Sequence, residues 1–100
     1  MDAGLKAKWL EALRGFKYVQ GRGTLRSPNN TYCCLGVLCD IQGIKLEKLK
    51  GNDEKIRNDI YNNLSNLLTK EVSVRLQNDN DDGMSFKEIA DWIEANIEGK

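Results

Sequence analysis

Residues 18–40 carry the sequence YVQGRGTLRSPNNTYCCLGVLCD, and this stretch decides the fold. It begins with a glycine- and arginine-rich loop (20–26) and passes through a turn cluster (27–30) into an unbroken apolar block (32–39). An apolar block of this kind is typical of a buried strand or helix. The loop before it combines backbone freedom with cationic donors and nearby aromatic rings. The stretch therefore predicts a buried element with a binding surface beside it.

The conformation of the apolar block and of the loop is open at this stage. Periodicity alone does not separate a strand from a helix over 31–42, but its length and the glycine at Gly43 favour a helix. Asn30 or Thr31 is placed to cap its start. In the segment 17–32, short β-type pairs at 18–19 and 24–25 flank Gln20 to Gly23, which predicts a short β-hairpin or an ordered Gly-Arg loop.

The remaining segments are mostly helical in pattern. Residues 44–51 alternate apolar and charged side chains and fit a short strand or a helical turn. Residues 71–77 predict a short helix, and Ser85 with Glu88 forms a capping box that starts a helix over 85–97. Two further segments carry apolar stripes at helical spacing. The first, over 3–15, has the stripe Leu5, Trp9, Ala12, Leu13 and Phe16. The second is predicted as a helix that Asn52 caps and that runs to Lys70, with the stripe Ile56, Ile60, Leu64, Leu67 and Leu68.

These patterns predict a mainly α (α+β) fold, a small single domain over 1–100 with four to five helices. The chain has 100 residues, 40% of them hydrophobic and 30% charged, and zero net charge. Its longest apolar run has eight residues, fewer than the roughly 20 of a membrane span, and no secretory pattern precedes it. We therefore expect a cytoplasmic protein without a membrane partner.

The charge is unevenly distributed along the chain. Residues 1–52 carry nine basic and four acidic side chains, whereas residues 53–100 carry six and eleven. The basic half can face an anionic ligand, or the two halves can face each other within a monomer or between subunits. Both alternatives stay open at this point, as does a homo-oligomer.

The cysteines do not form a metal site or a catalytic centre in this sequence. Cys33, Cys34 and Cys39 lack the paired spacing of zinc ligands, and the chain has no histidine to complete a site or to act as a base. The acidic segment 78–83 resembles a calcium loop, but its register fails. We predict buried thiols, no metal, no cofactor and no enzymatic activity.

The candidate ligand-binding residues surround the Gly-Arg loop. Arg22 and Arg26 offer forked donors for phosphate or carboxylate, and the glycines bring the backbone close to a ligand. The aromatic rings nearby suit stacking on a planar group. The alternative is a tight turn with solvated arginines. The predicted site consists of Trp9, Tyr18, Gln20, Gly21, Arg22, Gly23, Arg26 and Tyr32.

Four motifs resemble a family of small bacteriophage and prophage proteins: KWLEALR at 8–14, YxQGxGxLR at 18–26, YCCLGVLCD at 32–40 and SFxEIADWIE at 85–94. The resemblance implies a phage context and the host cytoplasm as location, but no mechanism. By analogy of class, small phage proteins act by occupancy.

We therefore expect a non-enzymatic protein that sequesters a host nucleotide-like signalling ligand and so counters antiphage defence. The alternative is a protein–protein inhibitor or regulator of a host enzyme, which mimics nucleic acid through the acidic C-terminal half. Direct nucleic-acid binding by the basic half is disfavoured by the zero net charge and by the lack of a recognition helix.

Overall fold

The computed structural model of the chain describes residues 1–44, 46 and 54–100. Within them the mainly helical prediction is confirmed, with five helices and one two-stranded parallel sheet. The elements follow in the order α1 (Ala3–Arg14), β1 (Val19–Gln20), β2 (Thr31–Tyr32), α2 (Cys34–Ile41), α3 (Glu54–Leu67), α4 (Lys70–Asp81) and α5 (Phe86–Asn96). Most of the segment 44–51, expected to be a strand or turn, lies outside the described residues, as do the cap at Asn52 and the side chain of the stripe position Ile56.

Helix α2 is the centre of the core. Residues 34–39 are all buried, as expected of a helix that is apolar on every side. It packs against α1 on one side and α4 on the other. The helical interpretation of the block is confirmed, but the predicted cap at Asn30 or Thr31 is wrong. Cys33 is the N-cap, and its Sγ accepts the N–H of Gly36 at 3.4 Å.

The predicted hairpin is wrong in its pairing. Val19 pairs with Thr31 in a parallel register, and residues 24–25 do not form the partner strand. The loop instead turns at Gly23, whose φ of 82° is in the left-handed region that glycine favours. It then crosses α2 so closely that a Cβ at Gly36 would overlap the carbonyl oxygen of Leu25. Long-range packing on α2 therefore overrides the local hairpin pattern.

Helix α1 ends where the predicted bounds 3–15 place its end, with Gly15 as the C-cap, and therefore does not include the last residue of its apolar stripe. Asp2 caps its start, with its carboxylate accepting the N–H of Leu5 at 2.8 Å. Trp9 and Leu13 are buried as expected. The chain leaves the helix at Gly15, so Phe16 no longer continues the stripe and its side chain is 101% exposed. The prediction that Phe16 belongs to the core is therefore wrong.

The C-terminal helices follow local signals. Helix α4 is longer than the predicted 71–77 and continues to Asp81. Thr69 caps its start, because its hydroxyl accepts the N–H of Val72 at 3.2 Å. In α5 the capping box is confirmed: Ser85 Oγ accepts the N–H of Glu88 at 3.2 Å, and the Glu88 carboxylate accepts the N–H of Ser85 at 3.3 Å. Helix α5 packs against α1 and α4 and closes the core.

Candidate functional site

The Gly-Arg loop is attached to the rest of the protein by the side chain of Gln20. Its Nε2 donates to Asn80 Oδ1 at 2.9 Å and to the carbonyl oxygen of Met84 at 2.7 Å. Its Oε1 accepts the N–H of Phe86 at 3.1 Å, which is one of the donors left free at the start of α5. Both amide hydrogens of Gln20 are thus used inside the protein. Gln20, predicted to bind ligand, positions the loop.

Asn80 is the polar centre of this attachment, and sequence reasoning missed it. It is 0% exposed. Its Oδ1 accepts the N–H of Cys34 at 3.3 Å in addition to the bond from Gln20, and its Nδ2 donates to the carbonyl oxygen of Gly21 at 2.8 Å. One side chain thereby joins the loop, α2 and α4. The available signal was its spacing, because Asn80 lies four residues after buried Leu76 on the same helical face.

The two loop glycines also use their N–H groups within the protein. Gly21 donates to the carbonyl oxygen of Tyr32 at 2.7 Å, and Gly23 donates to Asp81 Oδ1 at 2.9 Å. A Cβ at Gly21 would lie only 2.8 Å from Cβ of Thr31. The expectation that these glycines offer backbone donors to a ligand is therefore corrected. They allow the loop to pack closely instead.

The two arginines of the loop have different neighbours. Arg22 is exposed and extends over the α4–α5 turn, where a Cβ at Gly83 would lie 3.3 Å from its Nη2. Arg26 bonds to the side chain of Asn30, and its guanidinium carbon lies 5.7 Å from the ring centroid of Tyr32. Arg26 is thus attached to the 27–30 turn, whereas Arg22 extends towards solvent at the other end of the loop.

Two of the three predicted stacking rings belong to the core. Trp9 is 0% exposed and donates its indole N–H to the carbonyl oxygen of Cys34 at 3.0 Å. Tyr18 is buried, and its hydroxyl donates to Asp40. Burial, followed by that hydrogen bond, raises the pKa of Tyr18. Tyr32 stays half-buried, edge-on to Tyr18 at 5.0 Å between centroids. The prediction that Trp9 and Tyr18 stack on a ligand is corrected.

A cavity of about 320 Å³ lies beside the loop, and we call it the loop cavity. Its wall includes loop residues Gly23 and Thr24. Tyr61 borders it with 67% of its side chain exposed. Polar groups come from α4, and the apolar floor comes from the loop, α2 and α3. The polar groups belong to Gln77 and Asp81. The apolar floor consists of Leu25, Cys33, Leu35, Ile60 and Leu64.

All three cysteine thiols are buried, and burial disfavours their ionised form. Burial raises the pKa of Cys33, which borders the cavity, and that of Cys34. Burial also raises the pKa of Cys39 to about 12. Because the thiolate is the nucleophile and the metal ligand, these cysteines act as small apolar side chains. Over 1–44, 46 and 54–100, no three His, Cys, Asp or Glu side chains form a group that could hold a metal ion.

The two oppositely charged halves meet within the monomer. Arg14 on α1 donates to Asp91 at 2.9 Å and to Glu94, both on α5. The N–H of Gly23 bonds Asp81 on α4. These contacts favour the alternative in which the charge asymmetry is paired internally. Separately, no helix among the described residues is long and apolar enough to cross a membrane.

Comparison with known proteins gives one match. A family model described as a domain of unknown function (DUF8296) matches residues 1–67. The matched range includes the Gly-Arg loop, the apolar block and α3, which together supply the floor of the loop cavity. Neither the curated proteins nor the solved structures contain a match to this chain.

Proposed function

This chain belongs to the DUF8296 family, and we propose that it is a non-enzymatic binding protein for a nucleotide-like ligand. The single observation that carries the proposal is the loop cavity, which lies beside the loop that presents Arg22 to solvent. Its volume of about 320 Å³ falls at the small end of ordinary ligand pockets. The cavity joins an apolar floor to a polar rim, as sites for planar ligands commonly do.

The base of the ligand occupies the floor of the cavity in this proposal. Leu35, Ile60 and Leu64 supply an apolar surface against which a planar ring packs. The exposed ring of Tyr61 is available to stack on the base. Gln77 at the rim offers both a donor and an acceptor to the edge of the base.

The phosphate of the ligand lies outside the cavity, towards Arg22. Arg22 directly precedes Gly23, a residue of the cavity wall, and its guanidinium is exposed. A planar guanidinium with forked donors matches phosphate geometry. Asp81 on the rim already accepts the N–H of Gly23, and its negative charge orients the base edge, not the phosphate, towards α4. This replaces the predicted pairing of Arg22 with Arg26.

Binding without catalysis is supported by the protonation of the site. The chain has no histidine, and burial holds the thiol of Cys33 in its neutral form. A group that is protonated and buried gives no nucleophile at neutral pH. In the phage context that the sequence resembles, such a protein sequesters a host signalling nucleotide in the host cytoplasm and so counters defence. Mimicry of nucleic acid through α5 is less well supported, because Arg14 pairs with Asp91 and Glu94 and offsets part of their negative charge.

Isothermal titration calorimetry tests the proposal. The purified full chain is titrated with a panel of purine and pyrimidine mononucleotides and cyclic dinucleotides. Because charge-assisted hydrogen bonds contribute about 1.5–3 kcal/mol, we expect Arg22→Ala to weaken binding roughly 10- to 100-fold. Tyr61→Ala should also weaken it. Lys87→Ala removes one exposed positive charge from α5 and is the matched control. The proposal is rejected if no nucleotide binds, or if Arg22→Ala and Lys87→Ala bind equally well.

A further inference from the structure

Phe16 is exposed in a way that the monomer does not explain. Its side chain is 101% accessible, so no part of its own chain covers the ring. Val19, three residues later, is 61% exposed. A large aromatic side chain contributes most to association when it enters a pocket on a partner. Phe16 is therefore an apolar projection after α1.

A groove lies directly beside this projection, between α1 and the end of α2. We call it the α1–α2 groove; its volume is about 480 Å³ and Phe16 itself stands at its edge. Ala12 and Ile41 give it apolar walls. Lys8 and Lys17 lie on its rim. The acidic residues Glu11 and Asp40 lie there as well.

We propose that this surface binds a second copy of the same chain across a two-fold axis. A projection and a groove that belong to one patch satisfy the self-complementarity that such an interface needs, with each Phe16 entering the groove of the other copy. The rim carries two positive and two negative side chains, so two copies meet without net repulsion, and a lysine of one copy can face a carboxylate of the other. A strongly acidic or basic partner would leave half of these charges unmatched.

The dimer is independent of nucleotide binding, because its residues differ from those of the loop cavity. Phe16 and the α1–α2 groove lie on α1, α2 and the connector after α1. The loop cavity is formed by the Gly-Arg loop, α2, α3 and α4. Loss of one activity therefore leaves the other measurable.

Sedimentation equilibrium of the full chain from micromolar to millimolar concentration tests the dimer. We expect a reversible monomer–dimer equilibrium. Each dimer holds two Phe16 anchors of about 2 kcal/mol or more, so Phe16→Ala should raise the dimer Kd about 1000-fold. Val74→Ala removes an exposed apolar side chain of α4 and should leave the dimer Kd unchanged.

Charge exchange at the groove gives a second measurement that is independent of Phe16. Glu11→Lys gives the rim an excess of positive charge on both copies and should weaken the dimer, whereas Lys8→Glu combined with Glu11→Lys restores neutrality and should recover it. Circular dichroism verifies that each variant is folded. A wild-type chain that is monomeric at millimolar concentration, or a dimer that is insensitive to Phe16→Ala, overturns the proposal.

Discussion

Replacing Asn80 with alanine should detach the Gly-Arg loop and destabilise the whole fold. Asn80 Oδ1 accepts from Gln20 and from the N–H of Cys34, and Nδ2 donates to the carbonyl oxygen of Gly21. Cys34 is fully buried, so its N–H would be left without a partner at a cost of about 1–3 kcal/mol. Gly21 is half-buried, so its carbonyl can bond water, and the lost bond from Gln20 adds about 1 kcal/mol.

The sum is about 3 kcal/mol, a large share of the roughly 5–15 kcal/mol that stabilises a domain. It corresponds to a fall in Tm of about 10–25 °C for a chain of this size. Urea unfolding followed by tryptophan fluorescence measures it, because Trp9 is fully buried and its emission changes on unfolding.

Asn78→Ala is the matched control for this experiment. It removes the same side chain type from an exposed position of the same helix, and should change the free energy of unfolding by less than about 0.5 kcal/mol. If Asn80→Ala and Asn78→Ala unfold at the same urea concentration, then the hydrogen bonds of Asn80 do not hold the loop, and the argument that Gln20 and Asn80 position it is wrong.

Two further predictions concern the core. Gly36→Ala would place a Cβ 2.7 Å from the carbonyl carbon of Leu25, so the loop must shift. Overpacking should outweigh the gain in helix propensity and lower the free energy of unfolding in urea by about 2 kcal/mol. Gly4→Ala, where the near atom is a flexible Asp2 carboxylate oxygen, should cost less, and equal losses would contradict the reasoning. Raising the pH should destabilise the protein, because burial raises the pKa of Cys39 from 9.0 to about 12. The unfolded thiol ionises first, so stability is complete below about pH 9 and declines towards pH 12. The urea midpoint of the wild type should be lower at about pH 10.5 than at about pH 8. The difference between the two midpoints should be smaller in Cys39→Ser. An unchanged midpoint in the wild type would refute the raised pKa of Cys39.

The helices show how far local signals predict structure. The capping box of Ser85 and Glu88 lies within four residues, and the bonds it predicts are present. Trp9 and Leu13 are buried, as their helical spacing predicts. Phe16 differs because the helix ends at Gly15, as the predicted bounds 3–15 imply, so the apolar spacing does not continue to Phe16 within the helix. Local patterns therefore predict the bounds of α1 and the start of α5, but an apolar stripe alone does not show which of its residues the helix buries.

The candidate site was predicted only in part, for a different reason. The Gly-Arg loop does border a cavity, and Arg22 is exposed. However, Tyr61 and Asn80 lie about 40 and 60 residues away from the loop, and nothing in the local sequence associates them with it. Trp9 and Tyr18 are aromatic and therefore of a type that suits stacking on a ligand, yet packing on α2 buries them.

The sequence by itself determined the helical class, the starts of α1 and α5 and the burial of 33–39, because capping, periodicity and hydrophobicity act between residues close along the chain. The tertiary structure alone decided that β1 and β2 run parallel, that Gln20 and Asn80 anchor the loop, and which aromatic rings remain accessible. Those outcomes depend on contacts between distant segments, where the need to satisfy buried polar groups and to fill the core selects one arrangement among many that the local patterns permit.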